Sequence, residues 1–325
     1  MKSEILAALR SADGYVSGQE LCERFEVSRT AIWKAINQLK QAGYEIEAVQ
    51  NKGYHMVSSP DLLSQIELES VRKTSWIGEE IHYFDTTDST NTRAKKLAEE
   101  GSAHGTLVVA DEQTGGRGRR GRDWESQKGI SVYMSFVLKP EIEPGNASTL
   151  TLITALAVAE GIEKTTGLDC QIKWPNDVVV NGKKICGILT EMSTQIDYIN
   201  YIVIGIGINV HNESFPEELG KIATSLYLES GKKQNRAKII EAVLEAFEKY
   251  YEIYLETQDM QNLIEPYNDK LANMKNQVRV LDPKEPYEGR AMGITPKGEL
   301  IVDTWEARKL VSSGEVSVRG LYGYT

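Results

Sequence analysis

The sequence predicts an α+β multidomain chain. It should hold a winged helix-turn-helix over residues 1–59, a central mixed α/β domain over 60–273 and a small C-terminal antiparallel β-barrel over 274–325. Three observations carry this. Two short capped helices are followed by a hairpin, β-rich runs alternate with helical ones through the middle, and the tail holds short alternating strands split by turns.

The 325 residues, 41% of them apolar, are enough for two or three packed domains. No apolar run approaches the ~20 residues of a membrane span, and Met1-Lys2-Ser3-Glu4 lacks a charged region leading into an apolar stretch. A cytoplasmic protein with no membrane partner is expected. Cys22, Cys170 and Cys186 are far apart, odd in number and without Cys-x-x-Cys spacing, which argues against a disulfide framework or a structural zinc site. A net charge of −10 repels nucleic acid, so any DNA contact needs a locally basic surface.

Residues 1–59 offer one. Ser17-Gly18-Gln19-Glu20 fits a capping box that opens a helix with Leu21, Cys22 and Phe25 inside. Ser28 caps a second helix whose apolar residues Ile32, Ala35, Ile36 and Leu39 recur at helical spacing. Between Ser28 and Ala42 lie Arg29, Lys34 and Lys40 and no acid, so Arg29, Thr30, Trp33, Lys34 and Asn37 are positioned to enter a major groove. Tyr44 to Gln50 and Tyr54 to Val57 flank an Asn51-Lys52-Gly53 turn and form the wing, with Lys52 near a phosphate. Periodicity alone equally fits a helical pair and hairpin that merely pack together; the acid-free basic helix favours DNA.

Ser58-Ser59-Pro60-Asp61 reads as a linker. Beyond it, β-rich runs (81–85, 106–112, 130–138, 198–205) alternate with helical ones (92–100, 148–165, 236–256), and Asn181-Gly182 signals a type I′ hairpin. Gly115-Gly116-Arg117-Gly118-Arg119-Arg120-Gly121-Arg122 contains a formal G-x-G-x-x-G. It leads into a β-rich run rather than a helix and lacks Gly-Lys-Ser/Thr, so it is neither a Rossmann turn nor a Walker A loop. Four arginines among four glycines instead make a phosphate-embracing loop, poorly ordered until a ligand arrives.

Five motifs then occur in order across about residues 80–225. They are Asp88-Ser89-Thr90-Asn91, Gln113 with the arginine loop, Lys173-Trp174-Pro175-Asn176-Asp177, Lys183-Lys184-Ile185-Cys186-Gly187-Ile188-Leu189 and Gly205-Ile206-Gly207-Ile208-Asn209. Together they resemble the biotin protein ligases, and the helix-turn-helix in front resembles the bifunctional bacterial ligase/biotin-operon repressors.

The resemblance implies a class II aminoacyl-tRNA synthetase-like ligase domain and an SH3-like C-terminal barrel. It also implies ATP with Mg²⁺, biotin as substrate, and biotinyl-5′-AMP as intermediate and corepressor. Ser89, Thr90, Asn91 and Gln113 would bond the ureido end of biotin. Arg117, Gly118 and Arg119 would close over its carboxylate and the adenylate phosphate, and Lys184 would stand where carboxylate meets α-phosphate. Arg119, Arg122 and Asn209 would hold the nucleotide, and Lys184, Arg117 and Arg119 would be the catalytic cations. Ser89 or Thr90 could equally be a helix N-cap, and Asp177 stays open between a Mg²⁺ ligand and a loop hydrogen bond. An ionised carboxylate attacking the α-phosphate needs no protein nucleophile, so the chemistry is positioning and charge neutralisation. The implied partners are a biotin carboxyl carrier protein, operator DNA and a second copy of the chain when adenylate is bound. Two rival readings are a ligand-responsive repressor with little ligase activity and a lipoate-type ligase.

In the tail, residues 276–281, 287–294, 298–303 and 313–319 read as short strands separated by Asp282-Pro283 and Pro296-Lys297-Gly298 turns.

Overall fold

The computed structural model describes residues 1–195, 198–282, 285–313, 317–320 and 324–325, apart from the side chains of Arg120 and Ser317. They form two compact units, Met1–Arg72 with Asn235–Ala237, and Lys73–Gln234 with Lys238–Thr325.

The first unit contains helices α1 (Lys2–Ser11), α2 (Gly18–Phe25) and α3 (Arg29–Gln41), the hairpin β1 (Glu45–Val49) and β2 (Gly53–Ser58), and helix α4 (Gln65–Val71). Ser17 Oγ accepts from Glu20 N at 3.0 Å and Ser28 Oγ from Ala31 N at 3.3 Å, so both serines cap their helices. Leu21, Ile32, Ala35, Ile36 and Leu39 pack with Ile5, Leu6 and Leu9 of α1. Helix α1 was not foreseen: it begins at Met1 without a side-chain cap, so it lacks the sequence signal that marked α2 and α3. In the hairpin Asn51 and Gly53 both take positive φ. Gly53 is obligatory, since a Cβ there would stand 2.0 Å from Val16 O. Glu67 of α4 is fully buried. Its carboxylate is satisfied by Arg10 Nη2, 2.9 Å from each oxygen, and by Tyr44 OH at 2.7 Å, as a charge inside a protein requires.

The second unit is built on a seven-stranded sheet in the order β3-β4-β5-β9-β8-β7-β6. Its strands are β3 (Ile81–Phe84), β4 (Leu107–Ala110), β5 (Ser131–Leu138), β6 (Gln171–Lys173), β7 (Asp177–Val180), β8 (Lys183–Thr194) and β9 (Ile199–Asn209). Only β3 and β4 run parallel. Helix α5 (Thr90–Glu99) packs on β4, β5 and β9, and α6 (Thr149–Thr166) on β6, β7 and β8. Leu150 to Ile162 of α6 are buried almost without interruption, the pattern of a helix enclosed on all sides. Short α7 (Glu217–Gly220) and α8 (Leu226–Ser230) precede α9 (Arg236–Thr257), whose Phe247 ring lies 4.6 Å from Phe136 of the sheet; α10 (Ile264–Lys270) follows. Asn181 and Gly182 between β7 and β8 have φ of 50° and 73°, the hairpin turn expected from Asn-Gly.

The remaining strands are β10 (Gln277–Leu281), β11 (Tyr287–Ile294), β12 (Leu300–Asp303), β13 (Arg308–Val311) and β14 (Ser317–Gly320), in an antiparallel sheet ordered β13-β12-β11-β10-β14. A closed barrel is not seen among the described residues. Closure needs a ladder between the edge strands β13 and β14, and the described residues contain none. Strand β13 was not foreseen, and the expected residues Pro283 and 314–316 lie outside the described ones.

Candidate active site

The floor of the site is a patch of bare backbone. Gly187 of β8 pairs with Gly207 of β9, and Gly205 pairs with Leu189 on one side and Ser135 on the other. Each glycine is crowded: an added Cβ would stand 2.0 Å from Asn91 Oδ1 at Gly205, 2.8 Å from the Trp124 ring at Gly207 and 2.9 Å from Lys184 Nζ at Gly187. Trp124 therefore lies directly on this floor, and its indole N–H is buried without a hydrogen-bond partner.

One end is uncharged. Ser89 is the N-cap of α5 by position, yet its side chain makes no capping bond, and both it and Thr90 line the pocket. Gln113 Oε1 accepts from Thr90 N at 2.8 Å and lies 3.1 Å from Thr90 Oγ1, while Nε2 donates to Ser126 Oγ at 2.9 Å. Asn91 does not line the pocket. Its amide faces Ser135 Oγ at 2.6 Å and donates to Glu191 Oε2 at 2.7 Å, which puts it behind the wall.

The other end is ionic. Lys184 Nζ is 2.6 Å from Asp177 Oδ1, an ion pair without an aligned hydrogen bond at that oxygen, and Tyr324 OH donates to Asp177 Oδ2 at 2.5 Å. Burial would raise the Asp177 carboxyl, but the ammonium groups of Lys184 and Lys173 and the hydrogen bond from Tyr324 outweigh it and hold it below the usual carboxylate range. The hydrogen bond that Asp177 accepts thus comes from the C-terminal Tyr324 and not from the arginine loop. Lys173, opposite Asp177 in the ladder, sits 3.8 Å from the Tyr324 ring centroid. Burial pushes it down to about 8, against the pull of Asp177 and with the push of Lys184, Arg319 and Arg122.

The arginine loop folds back on itself. Gly118 N donates to Arg122 O at 2.7 Å, Trp124 N to Gly116 O at 3.0 Å, and a 3-10 turn spans Arg119–Gly121. Arg119 Nη1 donates to Asn176 Oδ1 at 2.8 Å, tying the loop to the Trp-Pro-Asn-Asp segment. Arg117 is exposed at the rim of the small pocket.

Two cavities meet here. The smaller one, with Ser89, Thr90 and Gln113 at its neutral end and Arg117, Arg119 and Lys184 at the other, holds about 50 Å³, and the larger one, of about 890 Å³, is lined by Arg122, Lys173, Asp177, Asn209, Arg319 and Tyr324 among others. Gly118, Arg119, Trp124, Asn176 and Lys184 line both. The structure thus gathers Ser89, Thr90, Gln113, Arg117, Gly118, Arg119, Arg122, Asp177, Lys184 and Asn209 at one composite site. Sequence reasoning missed Trp124, Ser135, Lys173, Glu191 and Tyr324. Lys173 and Trp124 fall in or beside quoted motifs and were legible as residues, whereas Ser135 and Glu191 stand in ordinary strands.

In the first unit Arg29, Thr30, Trp33 and Lys34 are exposed on α3, Asn37 is half-buried and Lys52 is exposed at the hairpin turn. Arg29 donates to Gln19 Oε1 at 2.9 Å.

Comparison with known proteins agrees with this geometry. A model described as "Biotin/lipoate A/B protein ligase family" matches residues 83–209, an "HTH domain" model matches 2–55 and a "Biotin protein ligase C terminal domain" model matches 276–319. The bifunctional ligase/repressor BirA of Bacillus spizizenii is 41% identical over 306 residues, 94% of each chain, and that of Bacillus subtilis is 40% identical over 311 residues, 95% of each. Among solved structures, a biotin protein ligase from Aquifex aeolicus in complex with biotin and ATP has 33% identity and a TM-score of 0.66, covering 74% of this chain and 99% of that one. The neutral end, the ionic end and the helix-turn-helix in front thus belong to one scheme, and the chain is a member of the biotin protein ligase family, among its bifunctional ligase/repressors.

Proposed function

We propose that the chain joins biotin to ATP as biotinyl-5′-AMP and transfers the biotinyl group to a lysine of a biotin carboxyl carrier protein, such as that of acetyl-CoA carboxylase. With adenylate bound, it dimerises on operator DNA and represses biotin synthesis and transport genes. Residues 1–59 read the DNA, 60–273 carry the chemistry and 274–325, an SH3-like module, assist it. The central sheet is of the class II aminoacyl-tRNA synthetase type.

The observation that carries this reading is Lys184 at the junction of the two cavities. A ureido ring at the neutral end of the smaller pocket, bonded by Ser89, Thr90 and Gln113, directs its carboxylate to the Lys184 ammonium, with Arg117, Gly118 and Arg119 closing above. The nucleotide lies in the larger cavity against Arg119, Arg122 and Asn209. A carboxylate oxygen attacks the α-phosphorus, the bond to pyrophosphate breaks, and Lys184 with the loop arginines offsets the charge that builds up. Mg²⁺ arrives with the ATP phosphates. In the second step the carrier lysine, as free amine, attacks the biotinyl carbonyl and AMP leaves as a phosphate anion; Asp177, in the lining of the larger cavity, is the candidate acceptor of the released proton. The smaller cavity has room for no more than a few waters, so Trp124 lifts from the glycine floor when ligand enters.

Biotin-dependent pyrophosphate release from ATP, compared between wild type and Lys184→Ala, tests this. Equal rates in the two would remove Lys184 from the chemistry. Calorimetry with biotin and lipoate separates the lipoate-type alternative, and sedimentation with and without biotinyl-5′-AMP tests the dimer.

A further inference from the structure

Arg29 is the first residue of α3, and its exposed side chain already has a partner on the helix before it. Its Nη2 donates to Gln19 Oε1 of α2 at 2.9 Å, and Gln19 Nε2 donates to Glu23 Oε1, one turn further along α2, at 2.7 Å. Chemistry fixes the order of these bonds. A carboxylate only accepts, so Glu23 takes the NH₂ of the Gln19 amide and leaves its oxygen facing the guanidinium. A long surface side chain that would otherwise sample many rotamers is thereby held in one place, and the ordering cost of binding falls.

The fork is held but not used up. One Nη2 hydrogen is spent on Gln19, and the other N–H groups still offer a forked edge to two acceptors lying side by side. DNA presents such pairs in two places, on each phosphate and at N7 and O6 of guanine in the major groove. The neighbours of Arg29 separate the two. Trp33, one turn along α3 on the same face, is 58% exposed. An indole gains little beside a phosphate, but base edges in the major groove offer it apolar contact such as the thymine methyl. Lys52 of the hairpin lines the same groove of about 420 Å³ as Gln19 and Arg29, and its compact ammonium suits a phosphate.

We propose that Arg29 reads a guanine in each half-site, and that Gln19, anchored by Glu23, is the positioning residue that holds its fork toward that base. This rests on the reading of residues 1–59 as a DNA reader and names a base that the reader selects.

Selection from a pool of random-sequence duplexes, with the full chain supplied with biotin and ATP, tests it. Wild type recovers half-sites with a guanine preferred roughly ten- to a hundredfold over other bases at one position, and Arg29→Ala loses the preference at that position alone. Gln19→Ala keeps the guanine but narrows its margin by roughly three- to tenfold. The salt dependence of its binding stays that of wild type, because no phosphate contact is lost. Its melting temperature is unchanged, since both side chains are exposed. If Arg29→Ala weakens all sequences equally and lowers the salt slope by about one, Arg29 holds a phosphate and the proposal fails. It fails too if the position Arg29 controls prefers another base, or if Gln19→Ala keeps the full margin. A wild type that enriches no sequence would instead overturn the DNA-reading assignment, and the proposal with it.

Discussion

At the Thr90 end of the pocket, hydroxyls and amides satisfy one another across three strands and a helix, with Glu191 and Lys95 behind them. At the Lys184 end, two lysines and a buried aspartate meet within one hairpin and the strand beside it, and the balance of burial and charge decides each protonation state. The first arrangement is a wall of neutral donors and acceptors with one ion pair, Lys95–Glu191, behind it. The second responds to any phosphate that arrives, because its cations are already crowded. An adenylating enzyme needs both: a rigid gauge for the substrate that carries no charge at its ring, and a responsive clamp for the one that carries several.

Lys184→Ala should break this comparison most severely. Pyrophosphate release should fall roughly 10²- to 10³-fold, as when one pre-placed charge donor is removed. The fold should persist with a lower melting temperature, since Asp177 would keep Lys173 and Tyr324 but lose its ion-pair partner. Asp177 also predicts acid sensitivity. Its depressed carboxyl contributes stability present above the ordinary carboxylate pKa and lost as pH falls through the folded value, and Asp177→Asn should flatten that part of a melting-temperature profile.

Gly205→Ala attacks the other end. Its Cβ would stand 2.0 Å from Asn91 Oδ1, so the amide must shift, and biotin affinity should fall roughly ten- to a hundredfold while ATP affinity holds. Unchanged biotin affinity would show that the gauge tolerates a displaced Asn91.

The smallest effect sharpens the ionic end. Lys173 titrates at about 8 in the folded chain, against an ordinary value of 10.5, so between those values the unfolded state binds more protons and folding stability rises with pH. Relative to Lys173→Met, the wild-type melting temperature should climb by a few degrees over that window. A parallel pair of profiles would mean that the ammonium is better solvated than its burial implies.

Much of this was legible beforehand. Ser17 and Ser28 announced their helices, Asn181-Gly182 its hairpin, and the arginine loop its refusal to open a helix, because each is a local steric or hydrogen-bonding preference written in adjacent residues. Helix α1 and strand β13 escaped because neither begins with such a signal. Closure of the C-terminal sheet was not legible either, because it depends on edge strands finding each other.

The sequence by itself therefore determined the order of motifs, the family they spell and the residue types at the site, since contiguous chemistry survives without coordinates. Only the tertiary structure decided that Asn91 stands behind the wall, that Trp124 covers the glycines, and that Ser135 and Glu191, 56 positions apart in the chain, hold the two ends of one amide. The reason is register: β5, β9 and β8 align Ser135, Gly205 and Leu189 side by side, and a shift of one residue in either ladder would turn the opposite face of the strand toward Asn91.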